Sequence, residues 1–151
     1  MANILLKWKI QGWERKIRAA NRTSFYKEES VSLGPIIKVE KAYKAGAWSE
    51  AIDETYKILM RFDDMSDAHY YLGMSLAKVH EVPLAVEHLT AAIRSHKKAM
   101  DSYDERYVDD LINICRASGR ESEVRKFFEG LAGLDAKGKL LLERLKYQGK
   151  L

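Results

Sequence analysis

Cysteine is nearly absent, and Cys115 is the only one in 151 residues. A disulfide framework within one chain is excluded. Cys115 falls at an apolar position of an expected helix, where a buried, reduced thiol is the ordinary state. No apolar run approaches the ~20 residues of a membrane-spanning helix, and Ile4-Leu5-Leu6 is interrupted at once by Lys7 and Lys9. That interruption argues against a cleaved signal peptide, so the expected location is the cytoplasm. With only two prolines and nine glycines, long stretches rich in Ala, Leu, Lys and Glu are free to be helical. A chain of this length can bury about 70% of the surface its unfolded form exposes, so neither disulfide nor metal is needed to hold it.

Catalytic constellations are equally scarce. His69, His80, His88 and His96 include no pair three or four apart, so no single helix face offers two imidazoles to a metal. Asp63-Asp64 and Asp109-Asp110 are adjacent pairs whose members diverge around a helix or turn, which suits solvated charges better than acid/base work. A phosphate loop, a nucleophile elbow and a Cys-x-x-Cys pair are all missing. The expectation is a protein that is not an enzyme and takes no cofactor and no metal.

What the chain does contain is self-similarity. Gly46-Ala47-Trp48-Ser49-Glu50-Ala51 aligns on His80-Glu81-Val82-Pro83-Leu84-Ala85 with an offset of 34 residues, a period that signals stacked helical pairs. Around the second stretch stand His69-x-x-Leu72-Gly73-x-x-Leu76, then Ala85-x-x-x-Leu89 and Ala92. This pattern resembles the tetratricopeptide repeat (TPR). A preceding unit places Ala42, Gly46, Ala51, Thr55 and Ile58 at the corresponding positions. After an insertion of five residues, a following unit supplies Leu111, Cys115, Gly119, Val124, Phe128 and Leu131. The resemblance covers about residues 32 to 133. Asp63 and Lys97 stand where the family pattern ends in Pro, and His69 stands where it has Trp.

The expected fold is all-α, a right-handed TPR-like superhelix of three hairpins over 35–45 with 48–62, 66–79 with 83–99, and 104–118 with 121–132. A first helix is expected over about 3 to 21, with a possible extension toward Glu29, and a break from Ser30 to Pro35. Ser66 and Asp104 offer capping side chains for two of the helix starts. A last helix over Ala136 to Tyr147 is expected to cap the C-terminal end. Gly73, Ala85 and Ala92 let two helix backbones approach, while His80, in place of a turn glycine, is expected to be exposed.

Such stacks use the first helix of each pair to line a concave groove. The resemblance therefore implies a groove with Ile36, Glu40, Tyr43 and Lys44, then Asp67, Tyr70, Met74 and Lys78, then Arg106, Asp109, Asn113 and Arg116. Of these, Tyr43, Lys44, Tyr70, Met74, Lys78, Arg106, Asn113 and Arg116 are the expected partner-binding residues. Tyrosines with interspersed cations suit an extended or helical peptide with some acidic character. One family specialisation clamps a partner's C-terminal carboxylate, but the matching places here hold Ile36, Glu40, Tyr71, Arg106 and Asp110. Only Arg106 suits that role. The expected function is thus a scaffold or adaptor for a protein or peptide partner.

Residues 1–30 form a basic segment distinct from the repeat region, 31–151. They hold seven Lys and Arg against three Glu, whereas 31–151 hold 19 of each sign. Leu6, Ile10, Trp13 and Ile17 share one helical stripe, which Ile4, Leu5 and Trp8 are expected to widen. This stripe can cap the first hairpin, pair with a second copy to make a homo-oligomer, or lie on an anionic membrane. Nucleic acid is a weaker option, because the charge is modest and no binding motif is present.

Overall fold

The computed structural model describes residues 3–27 and 33–151, and these are all-α. Eight α-helices follow in order: α1 Ile4–Ala19, α2 Gly34–Lys44, α3 Trp48–Leu59, α4 Ser66–Lys78, α5 Val82–Met100, α6 Glu105–Ala117, α7 Glu121–Ala132 and α8 Ala136–Tyr147. A short 3-10 turn, Phe25–Lys27, and one isolated bridge between Thr23 and Phe62 complete the regular features among the described residues. No described helix is long and apolar enough to cross a membrane. The expected extension of the first helix toward Glu29, the break beginning at Ser30 and the boundary between residues 30 and 31 lie outside the described residues.

Four of the helices end in the same turn. After α2, α4, α6 and α8 comes a left-handed residue: Gly46 at φ 73°, His80 at 65°, Gly119 at 72° and Gly149 at 71°. The N–H that follows each donates five residues back, Ala47 to Ala42, Glu81 to Leu76, Arg120 to Cys115 and Lys150 to Leu145, at 2.7–2.9 Å. These bonds satisfy terminal carbonyls that an α-helix otherwise leaves open. Glycine enters the left-handed region without steric cost, whereas His80 does so as an L side chain, exposed on the surface. The 34-residue offset in the sequence is therefore an offset between equivalent turns.

The five inserted residues lengthen α5, which has 19 residues where α3 and α7 have 12 each. Its extra turns end at Asp101, a second left-handed non-glycine residue, φ 54°. Asp101 accepts from Lys97 at 3.0 Å and from Lys137 of α8 at 2.6 Å. Those two ammonium groups hold its carboxyl down at about 2. The insertion thus fastens the start of α8. Capping differs from the sequence reading in one place. Asp104 accepts from Tyr107 N at 3.2 Å, and Asp135 accepts from Gly138 N at 2.7 Å. Ser66, by contrast, lies inside α4 behind Met65, and its hydroxyl meets Tyr26 Oη at 2.7 Å.

Each helix from α2 to α6 packs on the next, and α6 with α7 and α7 with α8 continue the series. In the middle, Leu72, Leu76, Ala85, Leu89 and Ala92 are fully buried. Gly73 faces Leu89 and the Ala85 carbonyl so closely that a Cβ there would lie 2.7 Å from Leu89 Cγ. α1 packs on α3 and contributes Ile10 and Ile17 to the same core, with Leu6 and Trp13 partly buried against it. One expectation is overturned here. Ile4, Leu5 and Trp8 do not widen the buried stripe, because at 60, 69 and 61% exposure they project to its outer side.

Gly138 is a sharper constraint than its poor helix propensity suggests. A Cβ at this position would sit 2.1 Å from the Leu131 carbonyl oxygen, a backbone atom that cannot swing away. Gly130, on α7, has nothing within 4 Å of the equivalent point. Gly138→Ala is therefore expected to lower the denaturation midpoint, by about 1–3 kcal/mol of overpacking. Gly130→Ala is expected to raise it by up to about 1 kcal/mol of helix propensity. Chemical unfolding of both variants should show opposite signs.

Candidate functional site

An aromatic row runs across α2, α4 and α6, with Trp48 of α3 at one end. Tyr43 meets Trp48 at 5.3 Å and Tyr71 at 5.5 Å between ring centroids. Tyr71 meets Tyr70 at 5.2 Å, and Tyr70 stacks on Tyr107 at 4.7 Å. The Arg106 guanidinium lies 4.6 Å from the Tyr70 ring and 5.5 Å from that of Tyr107, while Lys78 lies 5.6 Å from Trp48. These cations are held over aromatic faces by the ring quadrupole, which leaves their outer N–H groups free to donate.

Two reciprocal bonds lock the row. Tyr70 of α4 donates to Asp110 of α6 at 2.5 Å, and Tyr107 of α6 donates to Asp67 of α4. Burial, reinforced by those carboxylates, pushes both phenols well above the ordinary tyrosine value. Tyr43 and Tyr71 are shifted the same way, first by burial. All four remain neutral hydrogen-bonding groups.

Among the residues expected to bind a partner, Tyr43, Tyr70 and Arg106 come together in this row, and Lys78 joins it through Trp48. Tyr70, Tyr71 and Tyr107 are 5, 7 and 1% exposed, so their rings are part of the packing, while Tyr43 and Trp48 are half-buried and Arg106 and Lys78 are exposed. Met74 is partly buried against the core, and Lys44 pairs with Glu40 at 2.7 Å. Asn113 is exposed. Arg116 is engaged by the chain itself, donating to the Gly149 and Lys150 carbonyls at 2.9 and 2.6 Å, while Lys150 pairs with Asp109 at 2.8 Å. Ile36 is 9% exposed. Trp48, Tyr71, Tyr107 and Asp110 were missing from the expected set of contact residues. Aromatic residues recurring on the first helices were the available signal.

A second cluster, buried on the opposite side of α4, escaped the sequence reading altogether. Glu14 of α1 is 6% exposed and accepts from Tyr56 Oη at 2.7 Å. Its Oε2 also lies 2.9 Å from His88 Nε2. His88 Nδ1 lies 3.0 Å from His69 Nδ1, and His69 Nε2 lies 2.7 Å from the Asp63 carbonyl. Trp13 stacks on Tyr56 at 5.6 Å and donates to Asp53 at 3.1 Å. The signal for Glu14 was its position, four residues after Ile10 and three before Ile17 on the buried stripe.

Hydrogen-bond chemistry assigns the protons. A carbonyl only accepts, so His69 carries its proton on Nε2. A neutral His69 then accepts at Nδ1 from His88 Nδ1, and the other His88 nitrogen faces the Glu14 carboxylate. Burial alone would raise the Glu14 carboxyl, but its bonds to His88 and Tyr56 hold it below 4.5. Burial, with the His88 ring beside it, pushes His69 down to about 4. Among the described residues, no group of three or more His, Cys, Asp or Glu side chains is arranged to hold a metal ion.

Comparison with protein-family models, with curated proteins and with solved structures gives no match. The class of the molecule therefore rests on its own geometry, an all-α chain of successive helices closed by a recurring turn.

The His69 shift sets the sign of a pH dependence. In the unfolded chain this imidazole binds a proton near its ordinary value of 6.5, whereas in the folded protein it does so only near 4. Unfolding therefore takes up a proton in that window, and stability falls as the pH drops from 6.5 toward 4. The loss is on the order of 3 kcal/mol once the pH is below the folded value. Glu14, also depressed, adds loss of the same sign at the lower end. Urea titrations at pH 7, 5.5 and 4.5 should show the decline, and His69→Asn should flatten it while lowering stability at pH 7.

Proposed function

We propose that the chain is a non-enzymatic interaction scaffold. In this reading three TPR-like hairpins, α2 with α3, α4 with α5 and α6 with α7, stack in a right-handed sense. The first helices then line a concave groove for a peptide or protein partner. α8 closes the C-terminal end, as a solenoid requires. The observation that carries the reading is the continuous row from Trp48 through Tyr43 and Tyr71 to Tyr107, with Arg106 and Lys78 set over it. The buried rings hold the row rigid, the half-buried Tyr43 and Trp48 offer apolar contact at low entropic cost, and the exposed cations supply charge-assisted bonds to carboxylates. An acidic peptide with apolar or aromatic anchors is the fitting ligand.

The exposed cations allow a test that leaves the packing intact. Selection from a random peptide display library should enrich acidic sequences on the wild-type protein. The double variant Lys78→Glu, Arg106→Glu, checked for folding, should bind those peptides at least about tenfold more weakly, each charge-assisted bond being worth roughly 1.5–3 kcal/mol. Equal binding by the variant, or no enrichment on the wild type, rejects the groove.

A further inference from the structure

The outer side of α1 carries a surface that the groove reading does not use. Ile4, Leu5 and Trp8 are 60, 69 and 61% exposed and project within an arc of about 100°. That arc is roughly opposite the seam formed by Leu6, Ile10, Trp13 and Ile17. Cations flank it: Lys7 and Lys9 on either side, with Arg15 and Lys16 further along the same exposed face. Lys7 and Arg15 form no ion pair among the described residues, and Lys16 lies 5.0 Å from the Trp13 ring. The single acidic residue of α1, Glu14, is turned inward to His88 and Tyr56. Nearby, Asp53 is engaged by Lys9, and Glu81 lies across a cavity shared with Lys7, Arg15 and Arg18.

We propose that the first two turns of α1 dock on an anionic lipid bilayer, with Ile4, Leu5 and Trp8 entering the interface and Lys7, Arg15 and Lys16 meeting the headgroups. A large indole beside two aliphatic side chains suits the boundary between headgroups and acyl chains, where tryptophan is enriched. The surrounding positive charge is complementary to that surface, and the exposed apolar trio suits its acyl boundary. A symmetric second copy would bring the same cations against one another. Three side chains also fall far short of the roughly 800 Å² that each partner contributes to a stable protein interface. A bilayer has no such threshold, because shallow insertion and electrostatic attraction add. The inward docking of α1 is retained in this mode, since the seam and Glu14 stay where they are.

The test is co-sedimentation of the full chain with vesicles of equal parts phosphatidylglycerol and phosphatidylcholine, beside vesicles of phosphatidylcholine alone. Binding to the anionic vesicles, weakened by added salt, is the expected result. Trp8→Glu should reduce partitioning at least about tenfold by removing the anchor. The pair Lys7→Glu, Arg15→Glu should reduce it by about fivefold or more per cation. All three positions are exposed, so circular dichroism and melting temperature should match the wild type. Failure to sediment with anionic vesicles overturns the proposal, as does equal binding to neutral ones. Partitioning that survives both variants does the same. So does lipid-free self-association that Trp8→Glu abolishes, since a second copy would then own the surface.

Discussion

The rest of the molecule depends on a single constraint: α4 is enclosed. Nine of its 13 residues are buried, and α2, α3 and α5 pack along it. A buried polar side chain on such a helix cannot reach water, so each must find a partner or cost free energy comparable to a lost hydrogen bond. Those partners come from three different places. Ser66 meets Tyr26 of the segment after α1, Asp67 meets Tyr107 of α6, His69 meets His88 of α5, and Tyr70 meets Asp110 of α6. Among the described residues only Ser75 Oγ is buried without one. The aromatic row and the buried imidazole chain are thus two consequences of the same burial, seen on different sides of one helix.

Which interaction orients α1 can be decided by magnitude. Lys9 with Asp53 is an exposed pair, and pairs of that kind contribute about 0–1 kcal/mol. Glu14 is different, because removing its His88 or Tyr56 partner would leave a carboxylate buried and uncompensated, at a cost of roughly 3–5 kcal/mol. Trp13 adds its stacking on Tyr56 at the same point. The seam supplies the driving force and Glu14 supplies the register, since only one rotation of α1 brings its carboxylate onto both Tyr56 and His88. That rotation is also what turns Trp8 outward.

Much of the helix layout was readable in the sequence, and the reason is the turn. Gly46, His80 and Gly119 interrupt periodic stretches at positions where only a left-handed residue closes the hairpin, so spacing and chemistry agreed on the boundaries. Leu72, Leu76, Ala85 and Leu89 were equally legible, because small and large residues alternate where two backbones approach. The N-terminal helix was harder. Apolar residues occur on both of its sides, and periodicity cannot say which side is covered; packing on α3 selects Ile10 and Ile17 and leaves Ile4 and Trp8 outside. Histidines 19 residues apart, His69 and His88, fall outside any rule based on one helix face, yet the hairpin brings their rings within 5.2 Å. Arg116 shows the same limit in reverse. It lies on α6, but its donors are satisfied by carbonyls 33 and 34 residues away.

Successive residues of α4 therefore serve opposite ends of the structure. His69 closes the chain that reaches Glu14 on α1, while Tyr70 closes the bond to Asp110 in the aromatic row. Residues that share one helix and adjacent hydrogen-bond networks are those for which free energies fail to add. A shift of α4 that improved the Tyr70 stacking on Tyr107 would move His69 against His88, where two ring nitrogens already sit at 3.0 Å around one proton. Close packing at Gly73 against Leu89 removes the remaining freedom to slide. The aromatic row is consequently rigid for the same reason that the first helix is fixed: both are tied to neighbouring residues of one enclosed helix.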